Sequence, residues 1–247
     1  MSVQTAAARP GIVFTLGRAV LRPWLWLRFR PLVTGSEHVP DDGSVQLVSN
    51  HLASLDTILI PSFSPRKVQF LAKASLFKVP VLGWVLRTSG QIPVERSGSS
   101  GHQALRAAES LVEHGRMVIV YPEGSLTRDP ELWPMRGKTG AVRIALERGI
   151  PLVPVAHWGT QALMPRYGKK VHLFGRKKTI DVIVGEPVDL SAYEGKPLDQ
   201  STLTAATAEL MDAIAALLAE LRGEPAPAER WDPVVHGQKE TGRLEEQ

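Results

Sequence analysis

The amino-acid sequence predicts an α/β fold: a single domain with a mixed central sheet flanked by helices, preceded by an amphipathic amino-terminal helical segment. Between residues 45 and 188, short β-branched and apolar runs alternate with longer helical patterns, which is typical of α/β architecture. Of the 247 residues, 43% are hydrophobic, enough to bury one sizeable core. We divide the chain into an amino-terminal segment (1–34), a main domain (35–222) and a polar carboxyl-terminal tail (223–247).

The amino-terminal segment is basic and rich in bulky apolar residues, with five arginines and no acidic residue. Arginine at the centre of a spanning helix costs about 2.5–3.5 kcal/mol, so Arg18 and Arg22 argue against a transmembrane span. We expect an amphipathic helix in the membrane interface, with Trp24, Trp26 and Phe29 at the level of the lipid headgroups. The alternatives are a helix packed on the protein with its arginines at the surface, and an organellar presequence.

The main domain contains short apolar runs, rich in β-branched residues, that predict strands at 45–48, 68–72, 118–121, 152–157, 172–174 and 179–184. Longer stretches with apolar residues at helical spacing predict helices over 54–60, 81–87, 102–114, 139–148 and 201–221. In the last helix Leu203, Leu210 and Ile214 share a face, and Ser201 is the expected amino-terminal cap. From Gly223 the chain turns to prolines and charges, so we expect a disordered or loosely docked tail.

Composition excludes several classes of function. Because the chain has no cysteine, it has no disulfide framework, no thiolate nucleophile and no cysteine-based metal site. The net charge is only +4, and the basic runs at 168–170 and 175–178 are not interleaved with aromatic residues. Nucleic acid is therefore not an expected partner.

The stretch Asn50-His51-Leu-Ala-Ser-Leu-Asp56 is the most informative, because four residues separate a histidine from an aspartate directly after a predicted strand. A neutral imidazole can take up a proton near pH 7, and a carboxylate on its other nitrogen fixes the tautomer and stabilises the imidazolium. If a helix begins here, the two side chains lie about one and a half turns apart, within reach of each other. Taken alone, the pair fits a helix cap with a solvated carboxylate more readily than a catalytic pair.

Three further blocks follow in order. Gly90-Gln-Ile-Pro-Val-Glu-Arg96 ends a strand-like piece on an arginine, whose planar guanidinium suits a phosphate, although alone it also fits a surface salt bridge. Tyr121-Pro-Glu-Gly-Ser125 follows a predicted strand, where α/β sites commonly open, and its glycine permits close backbone approach to a ligand. Val153-Pro-Val155 is an apolar strand that fits a plain core equally well.

Together and in this order, the four blocks resemble those of the glycerolipid acyltransferase family, whose bacterial members include the 1-acylglycerol-3-phosphate acyltransferases. The resemblance covers about residues 35–190. It implies transfer of a fatty acyl group from a thioester to a hydroxyl of lysophosphatidate in phospholipid synthesis. Glycerol 3-phosphate or another lysophospholipid is the alternative acceptor.

The resemblance also assigns roles to individual residues. It implies that His51 is the general base for the acceptor hydroxyl and that Asp56 orients it, so that the substrate oxygen takes the place of the serine in a triad. It implies acceptor binding by Lys73, which resembles a lysine common near this site in the family, and by Arg96, Glu123, Gly124 and Ser125.

The chain departs from the family pattern in one place. Many members carry Pro-Glu-Gly-Thr-Arg-Ser, whereas Leu126 stands at the position of that arginine here, followed by Thr127-Arg128. Either Arg128 reaches the phosphate from two positions later, or Lys73 or Lys138 supplies the charge, or the acceptor is not a simple glycerol phosphate.

The implied reaction needs no metal and no resident cofactor, because a thioester is already activated; acyl-CoA or an acyl carrier protein thioester is the co-substrate. Expected partners are membrane lipids and that donor, with no required protein partner. The expected location is peripheral, on the cytoplasmic face of the cell membrane. The two basic runs fit phosphates of coenzyme A, an acidic carrier protein or anionic headgroups, or simply a solvated hairpin edge.

Two other classes of function are open. A hydrolase would use Ser54 or Ser125 as nucleophile, but the sequence has no Gly-x-Ser-x-Gly elbow. A non-catalytic lipid-binding protein could share the same fold. His157 and Trp158 either border the acyl chain or serve the structure alone.

Overall fold

The computed structural model describes residues 23, 29–64, 66–94, 115–168, 170–172 and 177–240. The strands in these residues are β1 (Phe29–Thr34), β2 (Val45–Ser49), β3 (Val68–Lys73), β4 (Ile92–Val94), β5 (Met117–Val120), β6 (Leu152–Trp158) and β7 (Lys178–Val184). The α-helices there are α1 (Asp56–Phe63), α2 (Pro80–Thr88), α3 (Gly140–Arg148) and α4 (Gln200–Arg222). Short 3-10 turns lie at Ser36–His38, Ala74–Lys78, Thr160–Ala162 and Ser191–Tyr193.

The strands form one mixed sheet in the order β1-β7-β6-β2-β5-β3-β4. Strands β6, β2, β5, β3 and β4 are parallel to one another, while β7 runs antiparallel to β6 and β1 runs parallel to β7. The carboxyl ends of the five parallel strands therefore meet at one edge of the sheet. In α/β folds this is the edge at which sites open.

Helices cover both faces of the sheet because the apolar side chains of the central strands alternate between them. On one face, Val45 and Leu47 of β2 belong to a core that includes Leu59 and Phe63 of α1. On the other face, Val48 packs in a second core formed by α3 and α4, whose buried members include Ala141, Val142, Leu203, Leu210 and Ile214. Burial of an aliphatic side chain of this size contributes about 1.5–3 kcal/mol, so these two layers stabilise the fold.

Helix α4 closes the second face. The side chain of Asp199 accepts a hydrogen bond from the backbone N–H of Thr202 (2.8 Å), and Gly223 ends the helix in the left-handed conformation. Among the described residues, α4 is the one helix long and apolar enough to cross a membrane by length and composition. Its buried side chains, however, pack against β6 and α3 as those of a core helix do.

The structure confirms the predicted fold class, and each predicted strand or helix that falls within the described residues, apart from 172–174, is present with ends shifted by at most three residues. The amino-terminal cap of α4 is Asp199 rather than Ser201, whose hydroxyl bonds to the same carboxylate (2.7 Å). The predicted helix at 102–114 lies outside the described residues. So does most of the predicted strand at 172–174, and its one described residue, His172, is not in a strand.

Two expectations about the ends of the main domain are corrected. Residues 29–34 were expected to belong to the interfacial helix, but they form β1, and Phe29 is buried in the core instead of facing headgroups. Of the two alternatives for the tail, disorder is wrong for residues 224–240, which lie against the domain through specific contacts. The backbone N–H of Arg136 donates to the carbonyl of Trp231 (3.0 Å), for example, and Arg230 pairs with Asp212.

Candidate active site

Three neighbouring strands bring the candidate residues to the same edge of the sheet. Strand β2 lies between β6 and β5, and its last residues pair in register with both, Ser49 with Val155 and Val48 with Val120. His51 follows β2 after one residue, Asn50, and Glu123 follows β5 after two residues. The predicted position of the Tyr121-Pro-Glu-Gly-Ser125 turn at a strand end is thus confirmed.

The loop between β2 and α1 folds around the carboxylate of Asp56, which is the first residue of the helix. Its Oδ2 accepts hydrogen bonds from the backbone N–H groups of Leu52 (2.7 Å) and Ala53 (2.8 Å), two buried loop donors that need a partner because water does not reach them. The same oxygen lies 3.0 Å from Nδ1 of His51. His51 therefore stands in the strand-to-helix loop, and not on the helix, yet within hydrogen-bond distance of Asp56.

This contact sets the protonation pattern of the histidine. Asp56 is fully buried and His51 is only 6% exposed. With the proton of Nδ1 directed at the carboxylate, the lone pair of the neutral ring lies on Nε2. Among the described residues, no hydrogen bond engages Nε2 of His51, so this nitrogen can act as a base.

A second histidine holds the same carboxylate from the other side. Nε2 of His157, near the end of β6, lies 3.1 Å from Oδ2 of Asp56, and its Nδ1 lies 3.1 Å from Oγ of Ser49. Burial would raise the pKa of Asp56, but the charge and contact of His157 and the hydrogen bond of His51 outweigh it. These contacts hold the pKa of Asp56 well below its usual range, so Asp56 stays an anion at physiological pH.

The side chain of Asn50 ties His157 to β2. Its Nδ2 donates to the carbonyl of His157 and its Oδ1 accepts from the N–H of the same residue, both at 3.0 Å. The amide thus continues the β2–β6 pairing by one step beyond the last strand bond. His157 was not predicted to lie beside Asp56, although its position two residues after the fourth block was a usable signal.

Tyr121 packs on the ring of His51, with ring centroids 4.1 Å apart and planes 24° apart. Burial and the nearby negative charge of Asp56 raise the pKa of Tyr121 well above its usual value, so the phenol is neutral. The stacked ring limits the orientations that the imidazole can adopt. Together with the Asp56 contact it fixes the direction in which Nε2 points.

Glu123 joins the histidine loop to the loop that follows β5. Its Oε1 accepts from the backbone N–H of His51 and its Oε2 from that of Met135, both at 3.1 Å. The side chain is 1% exposed, and burial raises its pKa to about 8 despite these two hydrogen bonds. The N–H of Thr127 completes the junction by donating to the carbonyl of His51 (2.8 Å).

The other candidate residues near this turn differ in their conformation, hydrogen bonds and burial. Gly124 adopts a left-handed conformation (φ 72°), which favours glycine, and lies beneath the side chain of Lys138. Ser125 donates through Oγ to the carbonyls of Leu126 (3.3 Å) and Glu240 (3.1 Å). Arg128 is almost fully buried, with 2% of its surface exposed.

Of two further residues predicted to bind the acceptor, the structure describes the strand position of one and does not describe the other. Lys73 is the last residue of β3 and pairs in register with Val94 of β4, at the edge where the five parallel strands end. Arg96 lies outside the described residues. Within the part of the chain that the structure describes, no three His, Asp or Glu side chains come together as a metal-binding group.

Comparison with known proteins decides the family. A model of the acyltransferase family matches residues 30–158, more than half of this chain. The chain belongs to the acyltransferase family. This match includes His51, Asp56, Glu123 and His157, and it confirms the family resemblance inferred from the four sequence blocks.

Individual acyltransferases are similar over most of the main domain. The 1-acyl-sn-glycerol-3-phosphate acyltransferase of Bacillus subtilis is 30% identical over 178 residues, which cover 72% of this chain and 83% of that protein. The chloroplastic 1-acyl-sn-glycerol-3-phosphate acyltransferase of Brassica napus is 31% identical over 168 residues, covering 66% of this chain and 48% of that protein. This chain thus spans about half the length of the plant acyltransferase.

A solved acyltransferase has the same fold. The crystal structure of the 1-acyl-sn-glycerophosphate acyltransferase PlsC from Thermotoga maritima superposes with a TM-score of 0.64 at 26% sequence identity. The match covers 90% of this chain and 81% of that one. The mixed α/β architecture is therefore shared with this acyltransferase.

Proposed function

We propose that this chain transfers a fatty acyl group from a thioester to a hydroxyl of 1-acylglycerol 3-phosphate, with His51 as general base. The observation that carries the proposal is the 3.0 Å contact between Nδ1 of His51 and the buried, ionised Asp56, which leaves Nε2 as the basic nitrogen. A fixed tautomer and a compensating negative charge are what an imidazole needs to accept a proton in a transition state.

In the proposed reaction, His51 takes up the proton of the acceptor hydroxyl and later gives it to the leaving thiolate. As the acceptor oxygen attacks the thioester carbonyl carbon, its proton passes to Nε2 of His51, and Asp56 stabilises the imidazolium. When the tetrahedral intermediate collapses, the carbon–sulfur bond breaks and Nε2 returns the proton to the leaving thiolate. The ester and the free thiol are the products, and no covalent acyl-enzyme forms.

The names of the relatives support the choice of acceptor. The similar proteins from Bacillus subtilis and Brassica napus are both named 1-acyl-sn-glycerol-3-phosphate acyltransferases. The residues proposed to bind this acceptor remain Lys73, Arg96, Glu123, Gly124, Ser125 and Arg128. Glycerol 3-phosphate and other lysophospholipids are the alternatives to be tested.

The proposal includes acyl-CoA or an acyl carrier protein thioester as donor and requires no cofactor or protein partner. It includes peripheral attachment to the cytoplasmic face of the membrane through the residues that precede β1. The run of arginines and aromatic residues in that stretch supports attachment to anionic lipid.

The geometry does not favour a serine hydrolase. The hydroxyl of Ser125 donates to two carbonyl groups, not to a histidine. Ser49, His157 and Asp56 do form a chain with the composition of a hydrolase triad, but all three side chains are fully buried. No substrate reaches a hydroxyl in that position. We therefore infer that Ser49 and His157 serve to hold the carboxylate of Asp56 in place.

The test is acyl transfer by the purified protein in detergent from palmitoyl and oleoyl thioesters. Lysophosphatidate, glycerol 3-phosphate and lysophosphatidylglycerol are offered in parallel as acceptors. His51→Ala removes the proposed base, and His172→Ala, an exposed histidine, is the matched control. We expect an ester product with lysophosphatidate, lost in His51→Ala and kept in His172→Ala.

Two results would contradict the proposal. Release of free fatty acid without an ester product, accompanied by labelling with a serine-directed fluorophosphonate, would indicate a hydrolase. Binding to lysophosphatidate vesicles with no turnover of any donor would indicate a lipid-binding protein. If the ester forms from glycerol 3-phosphate instead, the acceptor named in the proposal is wrong. The proposed roles of His51 and Asp56 are then unaffected.

A further inference from the structure

Two cations stand beside the turn that contains Gly124 and Ser125, and the proposed proton transfer uses neither of them. The backbone N–H of Lys138 donates to the carbonyl of Pro122 (2.8 Å), which fixes this part of the chain against the turn. A Cβ built on Gly124 would lie 3.2 Å from Nζ of Lys138, so the ammonium group lies directly over the glycine. Arg136, two residues earlier, is the second cation.

The carboxyl-terminal tail brings a carboxylate to both cations. One oxygen of Glu240 forms an ion pair with Arg136, and the other lies 4.0 Å from Nζ of Lys138. Nε of Arg136 also lies 3.4 Å from Oδ2 of Asp232, a second carboxylate of the tail. The backbone carbonyl of Glu240 accepts the hydroxyl proton of Ser125 (3.1 Å). The tail therefore places an anion across the turn, held by a guanidinium, an ammonium group and, through its main chain, a hydroxyl.

These groups are the ones that bind a phosphate. Arginine offers a planar pair of donors to two oxygens, lysine adds a point charge, and a hydroxyl can donate to a third oxygen. At the position where the family resemblance predicts an arginine, this chain has Leu126, which is 8% exposed, and Arg128 is 2% exposed. Arg136 and Lys138 are about half exposed and supply positive charge on the outer side of the same turn.

We propose that Arg136 and Lys138 form a subsite for a phosphate monoester, and that Glu240 occupies this subsite as an internal competitor. The proposal rests on the proposed function, since the phosphate belongs to one of its two substrates. That phosphate is either the headgroup of the lysophosphatidate acceptor or the 3′-phosphate of a coenzyme A donor. A ligand that enters displaces the carboxylate of Glu240.

The proposal predicts opposite effects for the competitor and for the cations. Glu240→Gln removes the charge that contacts both cations and leaves Asp232 on Arg136, so the Kd for a phosphate monoester falls about 3- to 10-fold, the effect of one or two exposed ion pairs. The double variant Arg136→Ala/Lys138→Ala raises that Kd about 10-fold or more. Glu224→Gln, another tail glutamate paired with an arginine (Arg222), is the matched control and leaves the Kd unchanged.

Binding is measured first without turnover, by calorimetric titration of glycerol 3-phosphate into the full-length His51→Ala protein carrying each further change. A Kd that tightens with Glu240→Gln and weakens with the double variant supports the subsite. An unchanged Kd in both overturns it, whatever the activity. This binding assay needs no acyl transfer. A failure of the subsite and a failure of the proposed function are therefore distinguishable, because each is tested by its own measurement.

Kinetics in the His51-containing protein distinguishes the two sources of the phosphate. If the acceptor headgroup binds, the double variant raises the KM for lysophosphatidate and leaves the KM for oleoyl-CoA unchanged. If the donor binds, the double variant raises the KM for oleoyl-CoA but not for its 3′-dephospho analogue. A loss of kcat with both KM values unchanged contradicts a binding subsite.

Discussion

The buried carboxyl of Glu123 predicts an unusual dependence of stability on pH. Burial raises its pKa from 4.5 to about 8 in the folded protein, even though two backbone N–H groups favour the ionised form. Between these two values the folded chain holds a proton that the unfolded chain has released. The free energy of unfolding must therefore fall as pH rises through this window.

The magnitude follows from the two pKa values. A difference of one bound proton changes the free energy of unfolding by about 1.4 kcal/mol per pH unit. From about pH 5.5 to about pH 7.5, Glu123 therefore lowers it by roughly 2.5 kcal/mol. For a chain of this size that corresponds to a fall in Tm of about 5–10 °C.

Glu123→Gln isolates this effect, because glutamine has nearly the same shape and does not titrate. At the lower pH the variant is the less stable protein, since its amide NH₂ opposes one of the two backbone donors at a cost of about 1–3 kcal/mol. As pH rises, the wild type loses the contribution of Glu123 and the difference shrinks by roughly 2.5 kcal/mol. Other titrating groups are common to both proteins and cancel.

The assay is urea unfolding followed by circular dichroism at three pH values across this range. Glu37→Gln, which changes an exposed carboxylate, is the control. If the curves of wild type and Glu123→Gln run parallel with pH, the carboxyl titrates normally and our description of it as buried and neutral is wrong.

Three further predictions concern residues that hold the candidate site and its neighbouring strands in place. Asp56→Asn should lower kcat for acyl transfer by about 10³- to 10⁴-fold while the circular dichroism spectrum is kept, because a neutral amide does not stabilise the imidazolium of His51; a loss below tenfold would contradict its orienting role. Asn50→Ala should lower the free energy of unfolding in urea by about 2–4 kcal/mol, since two buried hydrogen bonds are lost. Gly159→Ala should cost about 3 kcal/mol or more in thermal unfolding, since its Cβ would lie 2.1 Å from a backbone oxygen of β7. Gly43→Ala has a positive φ but meets nothing within 4 Å, so it should cost only about 1 kcal/mol; equal losses would refute the steric explanation.

The sequence predicted those parts of the structure that depend on neighbours along the chain. The central strands are mostly apolar because both of their faces are buried, so their positions could be read directly from the sequence. The contact of His51 with Asp56 spans a single loop and was also predicted. Residues 29–34 were misassigned because they alternate buried and exposed positions beside arginines, and their strand character depends on pairing with β7, far along the chain.

The missed parts of the site depend on contacts between distant residues. His157 reaches Asp56 only because β6 lies next to β2 in the sheet, which no local pattern indicates. Similarly, Glu240 lies in a polar, proline-containing region that local composition describes as disordered, and its position depends on Arg136 and Trp231. Periodicity is informative about which side chains are buried, but not about which buried side chains meet.

Strands β1 and β7 run opposite to the other five strands, and this direction determines the edge of the sheet at which the chain enters β1. Phe29 pairs with Lys178, and β7 begins beyond the point where β6 ends, so the chain enters β1 at the edge of the sheet that carries His51. A β1 parallel to β2 would begin at the far edge, about 20 Å away for a strand of six residues. If the residues before β1 lie on a bilayer, as we propose, the edge that carries His51 faces the lipid. The proposed acceptor could then reach His51 by lateral diffusion, without leaving the membrane for water.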